Sequence, residues 1–397
     1  MKILFFISTL ENDGAERAMS NITMHLPEDV EADILLNSVS DHDFPTKAHV
    51  ISLGMSPNSK KGIKYQLTAL FRRIPTLHKL KKSNHYDACI SFMDSANLCN
   101  ILTGNKYCKT IVSVRVSVAQ DKSFLYRFIV QPMVSLLYNK ADYVVAVAEQ
   151  LRKELIEVFG ICPDKVKTIT NGYDVAQIRQ QAEQQLTLSE LPCTDNKFVY
   201  VTVGRFTAQK AQWHLIRAFE QVVSKCQDAV LFIIGQGEDK AYLEEIICTN
   251  KLEGKVILLP YQKNIFPVLN QCDVFVMPSM FEGYCNALCE ALICGLPCIA
   301  TDFQSSAREI LAPDMDFAYQ LHDGIEKASY GMLTPVCSGV RYKGDEPLEH
   351  AEESLAEAMI LLHQDKALFE EYQNKAFVRG KQMDIAQKVQ EWIALVK

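Results

Sequence analysis

Residues 278–302 read P-S-M-F-E-G-Y-C-N-A-L-C-E-A-L-I-C-G-L-P-C-I-A-T-D, and seven residues separate Glu282 from Glu290. Ahead of this stretch the apolar run Val274 to Met277 predicts a buried strand, which enters a loop containing Gly283. A short helix is predicted from Asn286 to Cys294, stopped by Gly295, and Pro297 to Ala300 reads as the next strand. A strand, a glycine loop and a helix in that order offer backbone N–H groups and the positive helix end to an anion. With one glutamate in the loop and one in the first turns of the helix, hydroxyls on either side of that anion come within reach. A diphosphate joining two sugars fits such an arrangement.

A lone pair of glutamates at this spacing is usually a solvated helix face. Taken together, however, Pro278-Ser279, Glu282-Gly283, Asn286, Glu290-Ala291, Gly295-Leu296-Pro297 and Ala300-Thr301-Asp302 resemble the glutamate, seven residues, glutamate motif of the retaining glycosyltransferases of the GT-B fold, family 4 (glycosyl transferases group 1). The resemblance implies that Glu290 binds the ribose of a sugar nucleotide and that Glu282 holds the sugar hydroxyls. It also implies a diphosphate cradle from the backbone of Gly283, Tyr284, Cys285 and Asn286.

After the predicted strand Phe198 to Val203 comes G-R-F-T-A-Q-K, placing Gly204, Arg205 and Lys210 on a loop that leads into a helix. Outside this context they would read as a solvated loop. Here they resemble the family's Gly-Arg…Lys signature, whose cations hold the donor diphosphate. Fixed cations aimed at a leaving diphosphate stabilise the charge that grows as the sugar bond breaks. Ala211 stands where the family commonly has Gly. Gly235-Gln236-Gly237-Glu238 follows the next strand. Alone it marks a turn; in this frame it resembles the family's glycine turn beside the nucleotide, with the base near Leu259 to Lys263.

In the first half, Asp13-Gly14-Ala15-Glu16-Arg17 resembles the family's Gly-Gly-Ala-Glu element, with Asp13 in place of the first glycine and Gly14 retained. Ile169 to Asp174 (I-T-N-G-Y-D) matches the family's Asn-Gly-x-Asp at the end of the first domain. Arg115 follows the predicted strand Thr110 to Val114, where many relatives carry His or Glu, and is a candidate for an acceptor diphosphate. Asp94, in S-F-M-D-S-A-N, is a candidate for orienting an acceptor hydroxyl.

The chain has 397 residues, 48% hydrophobic and 22% charged, the proportions of a soluble globular protein of two domains. No apolar run of eighteen residues occurs and the first strand begins at Lys2 without a secretory signal, so a cytosolic protein is expected. Thirteen cysteines, an odd number, fit reduced thiols. Cys285, Cys289, Cys294 and Cys298 fall on the helix and strand of the glutamate motif, where small buried side chains are wanted, so no zinc site is expected. Asp41-His42-Asp43 and Asp314-Met315-Asp316 sit in polar loops, and neither follows a nucleotide-type strand. No essential metal and no cofactor are expected.

Net charge is −7, with 21 Lys+Arg against 18 Asp+Glu in residues 1–175 and 20 against 30 in the rest. An acidic chain argues against nucleic acid as a partner. Ser59 to Lys82 interleaves eight basic residues with Ile63, Tyr65, Leu67, Leu70, Phe71 and Leu77, and Ser123 to Tyr138 is strongly apolar. Such a surface can lie on an anionic bilayer, although a solvated helix beside a core helix explains it equally.

Strand-like runs alternate with helical patterns, interrupted by the polar stretch Thr187 to Lys197. The expected fold is α/β, two Rossmann-like doubly wound domains facing a cleft. The expected division is 1–186 for the acceptor domain, 187–197 for a linker and 198–378 for the sugar-nucleotide domain, with 379–397 a helix returning to the first. The resemblance implies transfer of a hexose or N-acetylhexosamine from a nucleoside diphosphate sugar, UDP-linked, to a lipid-linked or soluble saccharide, at the cytoplasmic face of the membrane. A UDP-sugar 2-epimerase of the same fold and a non-catalytic sugar-nucleotide-binding subunit are the rival expectations.

Overall fold

The computed structural model describes residues 1–11, 14–55, 63–117, 128, 130–184, 195–303 and 306–397, with side chains of 63–69 set aside. The chain divides into two compact units, Met1–Asp174 with Asp384–Lys397, and Val175–Met383.

The first unit runs β1 (Lys2–Phe6), α1 (Gly14–Met24), β2 (Glu31–Leu36), β3 (His49–Ser52), α2 (Ile63–Ser83), β4 (Ala88–Phe92), α3 (Asp94–Leu102), β5 (Lys109–Val114), α4 (Gln131–Leu137), β6 (Tyr143–Ala146), α5 (Glu149–Glu157) and β7 (Val166–Thr168). The second runs α6 (Val175–Ala182), β8 (Phe198–Val203), α7 (Gln212–Lys225), β9 (Ala229–Ile234), α8 (Lys240–Thr249), β10 (Val256–Leu259), α9 (Phe266–Leu269), β11 (Val274–Met277), α10 (Asn286–Ile293), β12 (Cys298–Thr301), α11 (Ala307–Leu311), β13 (Glu326–Lys327), β14 (Met332–Thr334), α12 (His350–Gln364) and α13 (Lys366–Lys381). The final helix, α14 (Ile385–Val396), belongs to the first unit.

The first sheet has the order β3-β2-β1-β4-β5-β6-β7, the second β10-β9-β8-β11-β12-β14-β13. All pairings are parallel except the β13–β14 hairpin. Period-two alternation explains why the central strands read as unbroken apolar runs. On β1 and just beyond it, Ile3, Phe5 and Ile7 join a core that includes Ile385, Val389, Trp392 and Ile393 of α14, whereas Leu4 and Phe6 join Leu77 of α2 and Ala96 of α3 on the other face. Strand order reverses between β1 and β4 and again between β8 and β11, so each sheet has a switch point at whose carboxyl edge ligands are expected.

The first division falls after Asp174 rather than at residue 186. The apolar face of α6 (Val175, Ile178, Ala182) is buried in the second unit, and Arg179 donates to the carbonyl of Ile293 on α10 at 3.3 Å. The second division falls at Asp384 rather than 379, because Arg379 donates to the carbonyls of Ile310 and Glu309. Part of the polar stretch 187–197 lies outside the described residues.

In the I-T-N-G-Y-D segment, a Cβ on Gly172 would lie 2.7 Å from Cδ1 of Ile385 and 2.9 Å from its Cα, so only glycine lets α14 start there. Ile385 N–H donates to the Tyr173 carbonyl (2.9 Å), and the Asp384 carboxylate caps α14 at Ala386. Trp392 rests against Phe92 with ring centroids 5.5 Å apart.

Candidate functional site

At the carboxyl edge of β8, residues 204–210 fold back so that Lys210 Nζ meets Glu282 Oε1 at 2.5 Å, both side chains more than four-fifths buried. The loop after β11 is shaped around this pair. Ser279 Oγ donates to Glu282 Oε1 (2.9 Å), and Gln209 Nε2 donates to Glu282 Oε2 (3.2 Å) and to the Phe281 carbonyl (2.9 Å). Met280 N–H in turn donates to the Gln209 carbonyl (2.9 Å). From the next strand, Thr301 Oγ1 donates to the Ser279 carbonyl at 2.5 Å. Gln209 and Thr301 therefore hold Glu282 in place. Sequence reasoning gave neither a role: Gln209 carries no spacing code, and Thr301 entered only as part of the motif frame.

Gly204, Gly235 and Gly237 pack where side chains have no room. A Cβ on Gly235 would come 2.0 Å from the Gly204 carbonyl oxygen, and one on Gly237 2.3 Å from that of Phe206. The two loops are laced by Phe206 N–H to the Gln236 carbonyl (2.9 Å) and Asp239 N–H to the Phe206 carbonyl (3.0 Å). The stem of Lys210 lies over Gly204, whose Cβ would meet Lys210 Cε at 3.0 Å. Arg205 is exposed on the same loop. Ala211 adopts φ 50°, ψ 35°, a left-handed conformation costing an L-residue about 1–2 kcal/mol. That backbone is the physical reason the resemblance places a glycine there.

Glu290 lies on α10 and is buried, while Gly283, Tyr284 and Asn286 are half-buried and Cys285 is buried with its Sγ 3.3 Å from Ser306 Oγ. In the ligand-free chain the Asn286 N–H donates to the Tyr284 carbonyl at 3.0 Å. Asp302, at the end of the same motif, is taken up by Arg308 (2.5 Å), which also holds Glu326. Burial pushes the thiols of Cys285 and Cys298 well above their ordinary range and that of Cys294 to about 12. These thiols behave as apolar filling around the pair.

Among the described residues, the grouping with ligand atoms close enough for an ion is His214, Cys337 and Glu349. Both nitrogens of His214 are already engaged, Nδ1 with Glu352 Oε1 (2.7 Å) and Nε2 by the Gly339 N–H (3.2 Å), and Glu349 caps α12. The two D-x-D tripeptides serve local turns: Asp43 accepts from Ser40 N–H, Asp314 from Ser329 Oγ and Asp316 from Ala318 N–H.

In the first unit, Gly14 is exposed and opens α1, while Asp13 lies outside the described residues. Asp94 opens α3 and accepts from Tyr138 Oη at 3.5 Å. Met93 before it holds φ 73°, ψ 152°, a region nearly reserved for glycine. Arg115 is only 7% exposed. Its Nη1 donates to Asn171 Oδ1 (2.9 Å) and its guanidinium lies 3.9 Å from the Phe92 ring centroid, while Nε is buried without a hydrogen-bond partner. Burial lowers its pKa to about 9, partly offset by the charges of Tyr173 and Glu16. Among the described residues no acid stands within ion-pair distance of it.

The basic surface expected on α2 is thinner than the sequence suggested. Arg73 is buried against Asn37 and Ser8, and Lys81 is buried with its Nζ donating to the carbonyls of Asn100 and Gly104 and to Thr110. Long stems carried these charges inward to acceptors on neighbouring loops. Arg72, Lys79 and Lys82 stay exposed, as do Phe71, Phe128 and Leu136. The lower-numbered basic side chains and most of 123–129 lie outside the described residues. No described helix is long and apolar enough to cross a membrane.

Residues 185–317 match the model of the glycosyl transferases group 1, and residues 12–177 that of glycosyltransferase family 4. A glycosyltransferase of Methanocaldococcus jannaschii, uncharacterized, is 32% identical over 319 residues, covering 79% of this chain and 78% of the relative. The N-acetylgalactosamine-N,N'-diacetylbacillosaminyl-diphospho-undecaprenol 4-alpha-N-acetylgalactosaminyltransferase of Campylobacter jejuni is 28% identical over 392 residues, 96% of each chain. Among solved structures, Anabaena HepE in complex with UDP and glucose superposes with a TM-score of 0.73 at 19% identity, covering 99% of this chain and 98% of that one. This likeness places the fold in the GT-B class.

Proposed function

We propose that this chain, a member of glycosyltransferase family 4 with a group 1 glycosyl transferase domain, moves a hexose or N-acetylhexosamine from a UDP-sugar to a saccharide on polyprenyl diphosphate, with retention at the anomeric carbon. The observation that carries this reading is the largely buried Lys210–Glu282 pair, set beside two closely packed glycine loops at the carboxyl edge of the sheet. The Campylobacter relative, named for transfer to a diphospho-undecaprenol saccharide, supports the lipid-linked acceptor. HepE, solved with UDP and glucose, supports a UDP donor.

In this reading Lys210 and Arg205 take the donor diphosphate, Gly235 and Gly237 let the nucleotide approach the backbone, Glu290 binds the ribose and Glu282 orients the transferred sugar. As the bond from the anomeric carbon to the diphosphate breaks, negative charge grows on the leaving oxygen, where the two cations are most effective. The acceptor hydroxyl oxygen bonds to the anomeric carbon on the same face and passes its proton to the departing diphosphate, which preserves configuration. Gly14, Asp94 and Arg115 stand as acceptor-side candidates on the first unit. Binding at the inner membrane face belongs to the same proposal, through Phe71, Phe128 and Leu136 with the remaining exposed basic residues. No metal is required.

The test is a panel of UDP- and GDP-sugars incubated with and without a polyprenyl-diphosphate saccharide, the product linkage read by NMR. An α-product from an α-donor, formed in excess chelator, is expected. A β-product overturns retention, abolition by chelator rescued by manganese overturns metal independence, and release of a free epimer from donor alone shows an epimerase.

A further inference from the structure

Residues 335–349, between β14 and α12, contain neither strand nor helix. Irregular connections this long are uncommon in compact domains and usually serve function. This one leaves the carboxyl end of β14, on the edge of the sheet where ligand loops lie.

It is held with unusual thoroughness. Arg217 and Glu352, on α7 and α12, are both fully buried and paired at 2.8 Å. The remaining guanidinium N–H groups of Arg217 donate to the carbonyls of Lys343 (2.6 Å), Glu346 (3.2 Å) and Pro347 (2.7 Å). His214 accepts the Gly339 N–H, and Trp213 Nε1 donates to the Val340 carbonyl (3.0 Å). Such a buried pair adds little net stability over apolar residues of equal size, and here its guanidinium ties three carbonyls of the segment to the helix pair.

The held segment then reaches two loops of the proposed donor site. Arg341 pairs with Asp239, the residue closing the 235–239 turn, while its guanidinium lies 5.0 Å from the Tyr242 ring centroid and 5.5 Å from that of Trp213. Asp239 is 4% exposed and its second oxygen has no hydrogen-bond partner, so without Arg341 a buried carboxylate at the end of the turn is uncompensated. Gly339, at φ +76°, lies against Met280 beside Glu282, where an added Cβ would meet Met280 Cε at 2.3 Å.

We propose that 335–349 is a positioning strap: Arg341 and Gly339 set the glycine turn and the Glu282 loop in register for a nucleoside diphosphate, and the Arg217–Glu352–His214 network sets the strap. The proposal rests on the donor assignment above, with Arg341 and Gly339 acting through Asp239 and Met280.

The experiment measures UDP affinity by calorimetry and donor kinetics on the full chain. Arg341→Gln is expected to weaken UDP binding and raise the donor KM by about tenfold, with kcat within about twofold of wild type. Arg341→Lys and the double variant Arg341→Gln, Asp239→Asn are expected to restore most of the affinity, a rescue that simple loss of stability would not give. Should Arg341→Gln fail to fold, Gly339→Ala provides the second arm: its Cβ is strained by φ +76° and meets Met280 Cε at 2.3 Å, so weakened UDP binding is expected, of which added Met280→Ala relieves only the contact part. Wild-type chain that binds UDP beside an Arg341→Gln variant of equal affinity overturns the strap alone, as does weakened binding that neither partner change rescues. Wild-type chain that binds no nucleoside diphosphate overturns the donor assignment and the strap with it.

Discussion

Glu282→Gln separates the two halves of the central ion pair without changing its shape. In the ligand-free chain Lys210 faces Glu282 at 2.5 Å, a gross attraction on the order of 6–7 kcal/mol at an effective dielectric of about 20. Most of that is offset by desolvation, and hydrogen bonds to charged groups are worth about 1.5–3 kcal/mol net. An incoming diphosphate must draw Lys210 away from Glu282, so this amount opposes binding in the wild type. In Glu282→Gln the charge opposing binding is gone; the amide oxygen still accepts from Ser279, while the amide nitrogen faces the Gln209 donor, a bond that is lost. Free UDP is therefore expected to bind about ten- to a hundredfold more tightly, while sugar transfer falls because the sugar has lost its carboxylate. Lys210→Met is expected to weaken UDP binding, and the double variant to bind no better than Lys210→Met alone. Calorimetry of the four proteins with UDP decides it. Affinity in Glu282→Gln equal to or below wild type would show that Lys210 does not face the diphosphate.

Arg115→Met removes a buried cation lacking an ion-pair partner, so melting temperature is expected to hold or rise while turnover drops at least about tenfold; a fall in stability with unchanged kinetics would make Arg115 a structural pin for Asn171. Ala211→Gly relieves about 1–2 kcal/mol of left-handed strain but loses a buried methyl worth about 0.8 kcal/mol and adds about 0.5–1 kcal/mol of unfolded-state freedom. Denaturant midpoints should therefore place it within about 1 kcal/mol of wild type, whereas Ala211→Val should lose more than about 2 kcal/mol. Burial pushes the Glu349 carboxyl up, but hydrogen bonds from Ser338, the nearby His214 and Tyr342 outweigh it and hold the group below its ordinary 4.5. The unfolded chain then takes up the proton first as pH falls, so the stabilisation is present at neutral pH and lost as pH drops below about 4.5. Urea midpoints of Glu349→Gln should sit below wild type at pH 7 and converge on it in acid. Binding to anionic vesicles at low salt should weaken in Phe71→Ser with Leu136→Ser; no binding by wild type would remove the membrane from the proposal.

Strands buried on both faces were legible because their apolar runs need no partner to be recognised: β8 and β11 lie at the expected bounds, β1 starts at the expected Lys2, and β5 and β12 fall within one residue. β3 was missed, since as an edge strand it reads H-V-I-S with three of four residues exposed, and β13 and β14 are too short to show a period. At the candidate site the motif frame singled out Lys210 and Glu282, though not their direct ion pair. The contacts that hold Glu282 were not legible, because Gln209 reaches it from 73 positions away and Thr301 holds Ser279 from the next strand. Charge was the least legible property: nothing in a helical pattern separates Lys81, buried, from Lys82, exposed.

The placement of α14 dictates an order of events during synthesis. The Ile3–Phe5–Ile7 face of the opening sheet waits for Ile385, Val389 and Trp392, made after the uninterrupted stretch Val175–Met383, whose own core likewise draws on the late-made Leu355, Met359 and Tyr372. Until then that face of the nascent opening segment is covered in part by Ala18, Met19 and Ile22 of α1, and the apolar patch awaiting α14 is a natural hold for a chaperone.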